Sequence, residues 1–360
     1  MRSPFRRVAY VLAGTGFGGA ERIACTLAYC AAQSGLQTLV EAAPHTREGL
    51  AELELSTPAE EQELAEWCRA ARQRVRDFRP DLVHVHLATP SMFVAGLRVA
   101  GDFSTLVTFH MLPEQGWPLD RLTGLPSRFH VFSNLWLRRR LSANVVGRTH
   151  FEHLSRFLPR SKFSWVENGI PMSLTPANDV AVWPGDGRRL LVVGRLVEAK
   201  GHLRLLRVLA HPNLMQYPWH LVVVGDGSAK GRFQAAAQEL GLQERVSWVG
   251  AVPASRWYRA ADLVLAPSLL ESFGLVPLEA AAMGVPVVLS RIPGHMETFA
   301  EVPESFLSFQ ESEWVNDLEP LLSQPMRLQQ LRGAQSGIGR RASTEALWAR
   351  YKDLYSTLGA

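Results

Sequence analysis

The sequence predicts an α/β protein made of two doubly wound domains that face each other across a hinge. Short β-rich runs alternate with helical periodicity in the first half, at VAYVL, LQTLV, DLVHVH, STLVTFH and KFSWV. The alternation restarts in the second half, at RLLVVG, WHLVVVG, RVSWVG, ADLVLAP and VPVVLS. Strands that alternate with helices imply parallel sheets with crossover helices. With 360 residues, 47% of them hydrophobic, the chain is long enough for two cores.

The boundary between the domains is predicted from a lapse in this pattern. Periodicity stops at SLTPANDVAVWPGDGRR, which is rich in Pro, Gly, Asn and Asp and is typical of a linker. The predicted domains are therefore residues 1–170 and 171–342. The final stretch contains STEALWARYKDLYSTL. It predicts an amphipathic helix within residues 343–360, which we expect to pack back toward the N-terminal domain.

Composition limits the class of protein. The three cysteines, Cys25, Cys30 and Cys68, lie in segments predicted to be helical and lack metal-ligand spacing, so we expect reduced core residues and no metal site. The apolar run VAYVLAG is far shorter than the roughly 20 residues that cross a bilayer. No cleavage pattern follows it. These features predict a cytoplasmic protein.

A glycine-rich turn follows the first predicted strand. Gly14, Gly16 and Gly19 satisfy G-x-G-x-x-G, and Glu41 ends the next apolar run, about where a ribose-binding acid would stand in a dinucleotide site. The glycines by themselves indicate less than that. They predict a strand-to-helix turn whose backbone N–H groups can approach a phosphate. The identity of that phosphate depends on the rest of the chain.

The second half carries cations and carboxylates after its predicted strands. VVGRLVEAKGH places Arg195 and Lys200 on the loop after a strand, where they bind phosphate or face solvent. LLESFGLVPLEAAAMG then predicts a turn with Glu271 and a helix that contains Glu279. The amides of the turn would favour an anion. The two glutamates reach different hydroxyls of one ligand, or one caps the helix and the other is exposed.

The order of these motifs resembles a known family. GGAER, TFH, ENGIP, VGRLVEAKG, VVVGDGS, VSWVGAV and ESFGLVPLEAAAMGVPVV follow one another over nearly the whole chain. This order is similar to that of the family 4 glycosyltransferases, which are retaining enzymes of the GT-B architecture. The resemblance implies two Rossmann-like doubly wound domains facing an interdomain cleft. A dinucleotide-binding dehydrogenase would not require the motifs of the second half.

The resemblance implies roles for these residues in holding a nucleotide sugar. Arg195 and Lys200 match the residues that bind the diphosphate. Glu279 matches the glutamate on the ribose hydroxyls, and Glu271 the one on a hydroxyl of the transferred sugar. His110, in VTFH, matches a histidine beside the donor sugar.

Further donor contacts are implied through the backbone. The segment that reads the edge of the base consists of Val249, Gly250, Ala251 and Val252. The amides of Phe273, Gly274 and Leu275 meet the sugar or the distal phosphate, and Gly18 and Gly19 approach the diphosphate from the first domain.

Three other polar side chains receive no assigned role. His84 and His86 alternate with apolar residues on a strand. Glu297 stands in PGHME, where the family often has a pair of glycines before the glutamate.

The implied reaction moves a hexose-type sugar from a nucleoside diphosphate sugar to a hydroxyl of a saccharide or glycolipid, as in cell-envelope polysaccharide or lipopolysaccharide assembly. The donor is a co-substrate rather than a resident cofactor; a UDP-sugar is favoured, and GDP- and ADP-sugars are the alternatives. Both glutamates are assigned to ligand hydroxyls, so front-face transfer without a protein nucleophile or a metal is expected. The alternatives are a nucleotide-sugar epimerase, a phosphorylase, and a non-catalytic binding protein.

A basic stretch in the first half predicts a partner surface. Residues 121–162 carry nine Lys or Arg against one acid, a balance of +8. Within NLWLRRRLS, Trp136 precedes Arg138, Arg139 and Arg140 in what could form a short basic amphipathic helix. We expect this surface to meet an anionic membrane or glycolipid at the inner face of the cytoplasmic membrane. The alternatives are a solvated face and nucleic acid, although no nucleic-acid motif is present.

Overall fold

The chain folds, in a computed structural model, into two compact units. Unit 1 contains Met1–Met172 together with Thr344–Ala360, and unit 2 contains Ser173–Ser343. The residues that the structure describes are 5–14, 18–44, 64–87, 92–110, 124–138, 140–155, 163–171 and 179–358. None of the helices formed by these residues is long and apolar enough to cross a membrane.

Unit 1 is built on a parallel sheet that has six strands within the described residues, in the order β2-β1-β3-β4-β5-β6. The strands are β1 (Arg7–Ala13), β2 (Gln37–Ala42), β3 (Leu82–Leu87), β4 (Thr105–Phe109), β5 (Leu141–Val145) and β6 (Phe163–Trp165). The helices are α1 (Gly19–Gln33), α2 (Leu64–Phe78), α3 (Phe93–Ala100), α4 (Ser127–Leu137) and α5 (Arg148–Leu154). One face of the sheet shares an apolar core with α2, α3 and α4. This arrangement confirms the predicted doubly wound α/β class.

The prediction that NLWLRRRLS forms a basic amphipathic helix is wrong. Helix α4 ends at Leu137, and Arg138 already has an extended backbone with ψ 112°. Strand β5 then begins at Leu141, which is buried. The interior position of β5 between β4 and β6 overrides helical periodicity, because Leu141, Ala143 and Val145 belong to the core of the unit.

Unit 2 is built on a second parallel sheet, with five strands in the part of the chain that is described, in the order β11-β10-β7-β8-β9. The strands are β7 (Arg188–Val193), β8 (Trp219–Val224), β9 (Val246–Gly250), β10 (Leu263–Ala266) and β11 (Val287–Leu289). The helices are α6 (His202–Leu209), α7 (Pro212–Met215), α8 (Lys230–Glu239), α9 (Ser255–Ala260), α10 (Leu275–Ala282), α11 (Pro293–Phe299), α12 (Trp314–Ser323), α13 (Pro325–Gln335) and α14 (Ile338–Arg341). A separate apolar core fills this unit.

The last helix, α15 (Thr344–Leu358), belongs to unit 1. Its buried aromatic residues include Tyr351 and Tyr355, which are 0% exposed. Tyr355 donates from its hydroxyl to the Tyr10 oxygen at 3.2 Å, and the same hydroxyl lies 2.7 Å from Nδ1 of His84. Because Tyr10 and His84 lie on β1 and β3, these hydrogen bonds connect α15 to two neighbouring strands of the sheet.

Removal of the Tyr355 hydroxyl should weaken unit 1. Tyr355→Phe leaves Nδ1 of the buried His84 without its partner, so we expect a loss of about 1–3 kcal/mol in the free energy of unfolding. Tyr29→Phe is the matched control, because Tyr29 is 44% exposed. Urea unfolding followed by tryptophan fluorescence measures both. Equal stability of the two variants would contradict the assignment.

Candidate functional site

A cluster of charged side chains lies at the carboxyl edge of the sheet in unit 2. Lys200 follows β7, Glu271 follows β10, and His295 lies in α11 after β11. These three strands are neighbours in the sheet. Since parallel strands end at the same edge, the side chains meet where open α/β sheets bind ligands.

Lys200 and Glu271 form an ion pair between Nζ and Oε1. Their side chains are 21% and 18% exposed, so the pair is mostly shielded from water. The Ser268 hydroxyl also donates to Oε1 of Glu271, at 3.1 Å. The sequence predicted both residues for the site but did not predict that they contact each other.

Burial by itself acts to raise the pKa of Glu271. The positive charge of Lys200, the neighbouring His295 and the hydrogen bonds from Lys200 and Ser268 outweigh burial and hold this pKa below its usual value. Glu271 is therefore a carboxylate at neutral pH. It can accept a hydrogen bond from a ligand hydroxyl.

The Lys200 segment is fixed to the loop after β10 by a close backbone approach. Gly201 has φ +69°, and a Cβ at this position would lie 1.9 Å from the Pro267 carbonyl oxygen. The Leu269 amide donates to the Ala199 carbonyl at 2.8 Å. Only glycine permits this contact, because the approaching atom belongs to the backbone and cannot rotate away.

His295 is a site residue to which sequence reasoning gave no function. Its ring lies beside Gly274, where an added Cβ would come within 2.8 Å of His295 Cδ2, and a Cβ on Gly294 would lie 2.4 Å from the Glu271 carbonyl oxygen. Nδ1 of His295 is 3.0 Å from the Ser290 carbonyl and so carries the proton that it donates. Burial lowers the pKa of His295, although the Glu271 charge opposes this shift. The PGHME sequence thus places an imidazole against the turn that holds Glu271.

Glu279 is held in a separate place from Glu271. It lies in α10, is 7% exposed, and accepts a hydrogen bond from the Tyr258 hydroxyl at 3.0 Å. Tyr258 lies in α9 and was not predicted as a site residue. The helix begins after Gly274, which has φ +82°. Phe273 is buried, and Leu275 is the first helical residue, half-buried.

The remaining predicted donor residues of unit 2 lie after β7, at the end of β9 and just beyond it. Arg195 follows β7 and is exposed, and it forms no ion pair with any described residue. β9 ends at Gly250, whose carbonyl accepts from the Gly225 amide at 2.7 Å. Val249 precedes it, and Ala251 and Val252 follow it in an exposed stretch.

In unit 1, His110 directly follows β4 and contacts a second histidine. Nε2 of His110 is 2.9 Å from Nδ1 of His86, and Nδ1 of His110 is 3.4 Å from Nδ2 of Asn168. Burial lowers the pKa of His110 to about 3, so the ring is neutral. His84, on the same strand as His86, bonds instead to Tyr355 and to Thr108 Oγ1 at 2.8 Å.

The glycine turn of unit 1 is partly occupied by the chain itself. The Gly18 amide donates to Oε2 of Glu21 at 2.9 Å, and Gly19 opens α1. Gly16 lies outside the described residues. Glu41 is not available to bind a ribose, because it is 0% exposed and its two carboxylate oxygens accept hydrogen bonds from Arg74 at 2.7 and 3.0 Å.

The predicted partner surface is described only in part. Trp136 is 64% exposed near the end of α4, and Arg138 and Arg140 are exposed in the connection to β5. Arg138 donates from Nη1 to the Gly101 carbonyl at 3.3 Å. Arg139 lies outside the described residues. Elsewhere, Glu297 lies half-buried in α11. Among the described residues, no group of three His, Cys, Asp or Glu side chains could hold a metal ion.

Comparison with known proteins identifies the family. Residues 17–174 match the family described as Glycosyltransferase Family 4, and residues 177–334 match Glycosyl transferases group 1. These two matches divide the chain between its halves and together span most of it. The chain therefore belongs to the family 4 glycosyltransferases.

A curated relative is the D-inositol 3-phosphate glycosyltransferase of Segniliparus rotundus, which is 35% identical over 173 residues. That alignment covers 44% of this chain and 38% of the relative, so the chain spans well under half the length of the protein it matches.

Solved structures share the fold. Sucrose-phosphate synthase from Thermosynechococcus elongatus superposes with a TM-score of 0.74 at 21% identity, covering 98% of this chain and 99% of that one. HepE from Anabaena, solved with UDP-glucose, gives a TM-score of 0.72 at 19% identity, with 98% and 99% covered. The predicted GT-B class, with two Rossmann-like domains, is confirmed.

The buried histidines of unit 1 should make stability depend on pH. The unfolded chain takes up protons near pH 6.5, whereas His110 stays neutral until about pH 3, and burial also lowers the pKa values of His84 and His86. The unfolded state then binds more protons, so stability should fall as pH decreases below about 6.5. Each histidine contributes up to about 1.4 kcal/mol per pH unit. Urea titrations between about pH 6.5 and pH 5 should show a shallower slope in His110→Gln; an unchanged slope would contradict this account.

Proposed function

We propose that this chain transfers a hexose-type sugar from a nucleoside diphosphate sugar to a hydroxyl group of a saccharide or glycolipid, with retention of anomeric configuration. The observation that carries the proposal is the Lys200–Glu271 pair beside the start of α10, within the part of the chain that matches the group 1 glycosyl transferases. Cation, carboxylate and helix amides stand together there. These are the groups needed to hold a phosphate and a sugar hydroxyl.

The diphosphate is proposed to bind Lys200 and Arg195. Arg195 is exposed and has no described ion-pair partner, so it can turn to an incoming anion without breaking a contact. The amides of Phe273, Gly274 and Leu275 at the start of α10 add partial positive charge. A UDP-sugar is the favoured donor, because HepE, which shares the fold, was solved with UDP-glucose.

Binding of the donor would change the partners of the ion pair. Lys200 now neutralises Glu271 in a site that is mostly shielded from water. A phosphate would compete for Lys200, and a sugar hydroxyl donating to Glu271 would replace part of that contact. The pair thus keeps both charges in place when no donor is bound.

The two glutamates are proposed as ligand-binding groups rather than as nucleophiles. Glu271 is engaged by Lys200 and Ser268, and Glu279 by Tyr258. Glu279 would bind the ribose hydroxyls, and the backbone of residues 249–252 the base. In unit 1, neutral His110 would bond a sugar hydroxyl in place of Asn168, whose Nδ2 lies 3.4 Å from its Nδ1. Gly18 and Gly19 remain proposed phosphate contacts.

The proposed chemistry is transfer on the front face of the sugar. The bond from the anomeric carbon to the diphosphate oxygen breaks, and the acceptor oxygen bonds on the same face. The acceptor proton passes to the departing diphosphate oxygen. Lys200 and Arg195 stabilise the charge that develops on this leaving group, which is the role of a metal in other transferases. Cell-envelope polysaccharide or lipopolysaccharide assembly at an anionic membrane is the proposed setting.

Loss of either cation should slow turnover more than it weakens the fold. Lys200→Ala and Arg195→Ala each remove positive charge aimed at the leaving diphosphate, and we expect losses of roughly 10²-fold or more in kcat. Arg207→Ala is the matched control, because Arg207 is an exposed cation of the same unit in α6. Product formation from UDP-sugars and a mixture of saccharide and glycolipid acceptors provides the assay. Turnover near that of the control in both variants would refute the assignment.

Substitutions of the two glutamates should affect the binding of UDP and of a UDP-sugar differently. Glu279→Gln should weaken binding of bare UDP by roughly tenfold to a hundredfold, since a charged acceptor for the ribose is lost. Glu271→Gln should leave UDP binding unchanged or tighter, because Lys200 loses its carboxylate competitor, yet weaken UDP-sugar binding. Calorimetry with UDP and UDP-glucose measures both ligands. The same loss for both ligands in both variants would remove this division of roles.

A further inference from the structure

A cavity of ≈ 260 Å³ opens on unit 1. Its floor is apolar, with Val99 and Ala100 buried and Phe103 half-buried. Its walls carry three arginines and one acid: Arg72, Arg76, Arg140 and Asp102. Gly101 completes the lining.

The cavity lies at the amino edge of the sheet. Arg72 and Arg76 belong to the second half of α2, Gly101 ends α3, and Arg140 directly precedes β5. His110 follows the opposite end of β4, a strand of 5 residues that is about 16 Å long. The cavity is therefore separate from His110, the histidine of unit 1 for which a donor role is proposed.

The three guanidinium groups lack anionic partners within the described part of the chain. Arg76 and Arg140 are exposed and Arg72 is half-buried. Arg72 and Arg76 are four residues apart on one helix face, an arrangement of like charges that destabilises a helix by a few tenths of a kcal/mol. Asp102 leaves the lining with a net charge of +2, from three arginines and one aspartate.

One donor in the wall has no acceptor. Nε of Arg72 is buried and has no hydrogen-bond partner among the described groups. The guanidinium lies against Gly101, where an added Cβ would be 3.5 Å from Nε. Nε of Arg188 and Nε of Arg204 are buried without partners in the same way, so the charge and shape of the lining, rather than this donor, mark the cavity as a binding site.

We propose that Arg72, Arg76 and Arg140 bind the phosphate group of a phosphate ester, at a site apart from sugar transfer. Guanidinium groups match the oxygens of a phosphate in pairs, and the net charge of +2 in the lining favours an anion. The apolar floor accommodates a small organic substituent beside the phosphate. The cavity is slightly smaller than those that hold drug-sized ligands, so the bound portion is a small ester or headgroup.

Two sources can present this chemistry: a soluble phosphate ester or the headgroup of an anionic lipid. Leu137 and Trp136, 81% and 64% exposed, lie just before the connection that carries Arg138 and Arg140. Arg138 also reaches Gly101 in the cavity lining. A headgroup in the cavity would thus have exposed apolar side chains near its acyl chains.

The test uses the full chain and two probes. Calorimetry at low salt measures binding of sn-glycerol 3-phosphate. Co-sedimentation measures binding to phosphatidylcholine vesicles with and without phosphatidic acid. The Arg72→Gln/Arg76→Gln double variant should weaken binding of the effective probe by about a hundredfold, about tenfold per arginine. Arg98→Gln is the matched control, because Arg98 is exposed on α3 and does not line the cavity. UDP binding reports that unit 2 is intact in each variant.

Binding of sn-glycerol 3-phosphate that is lost in the double variant and kept in Arg98→Gln supports a soluble ester. If the chain binds only vesicles that contain phosphatidic acid, and the double variant loses this binding, the result supports a lipid headgroup. The proposal is overturned if neither probe binds, or if the control loses as much affinity as the double variant. In that case the arginines serve only the carboxyl ends of α2 and α3, where cations are stabilised. Failure of sugar transfer would leave these binding results unchanged.

Discussion

The contact between Lys200 and Glu271 organises the site of unit 2. It joins segments that follow two neighbouring strands, β7 and β10, and so depends on their parallel register. Two glycines make the contact possible. Gly201 lets the Lys200 segment reach the Pro267 carbonyl, and Gly294 lets α11 approach the backbone of Glu271. A side chain at either position would push apart backbone segments that cannot rotate away.

This constraint explains why the charged groups can remain in place without a ligand. Each charge in a mostly shielded site needs a partner, because desolvation of an isolated ion is costly. Lys200 and Glu271 partner each other, and Ser268 and His295 stabilise the carboxylate further. A donor that carries both a phosphate and a sugar can replace these contacts with equivalent ones. The site is therefore suited to a ligand with an anionic part and a hydroxyl-bearing part.

Unit 1 differs from this site, since the histidines and tyrosines buried along its central strands are uncharged. Burial keeps His84, His86 and His110 neutral. His84 bonds two hydroxyls, and His110 contacts His86 and the side-chain amide of Asn168. The chain end takes part through Tyr355, which bonds both β1 and β3. The final helix thus contributes to the core of the unit whose strands come from the start of the chain. Its loss would leave polar groups unpaired in the middle of the sheet.

The sequence by itself determined the class of fold and most of the candidate site. Alternating strands and helices are local patterns, and the ten strands predicted from them are present. Lys200, Glu271 and Glu279 stand in motifs whose turn glycines and helix starts are also local. Strand β5 was missed, because the polar residues Ser142 and Asn144 interrupt its apolar pattern and three arginines precede it.

Only the tertiary structure decided which side chains meet. The pairing of Lys200 with Glu271, of Tyr258 with Glu279 and of Arg74 with Glu41 joins residues far apart in the chain. Such contacts depend on strand order, which no local pattern encodes. The same holds for the arginine cavity, since α2, the end of α3 and the start of β5 come together at one edge of the sheet. Sequence spacing can therefore assign residue types to a site, but their partners follow from the packing of distant elements.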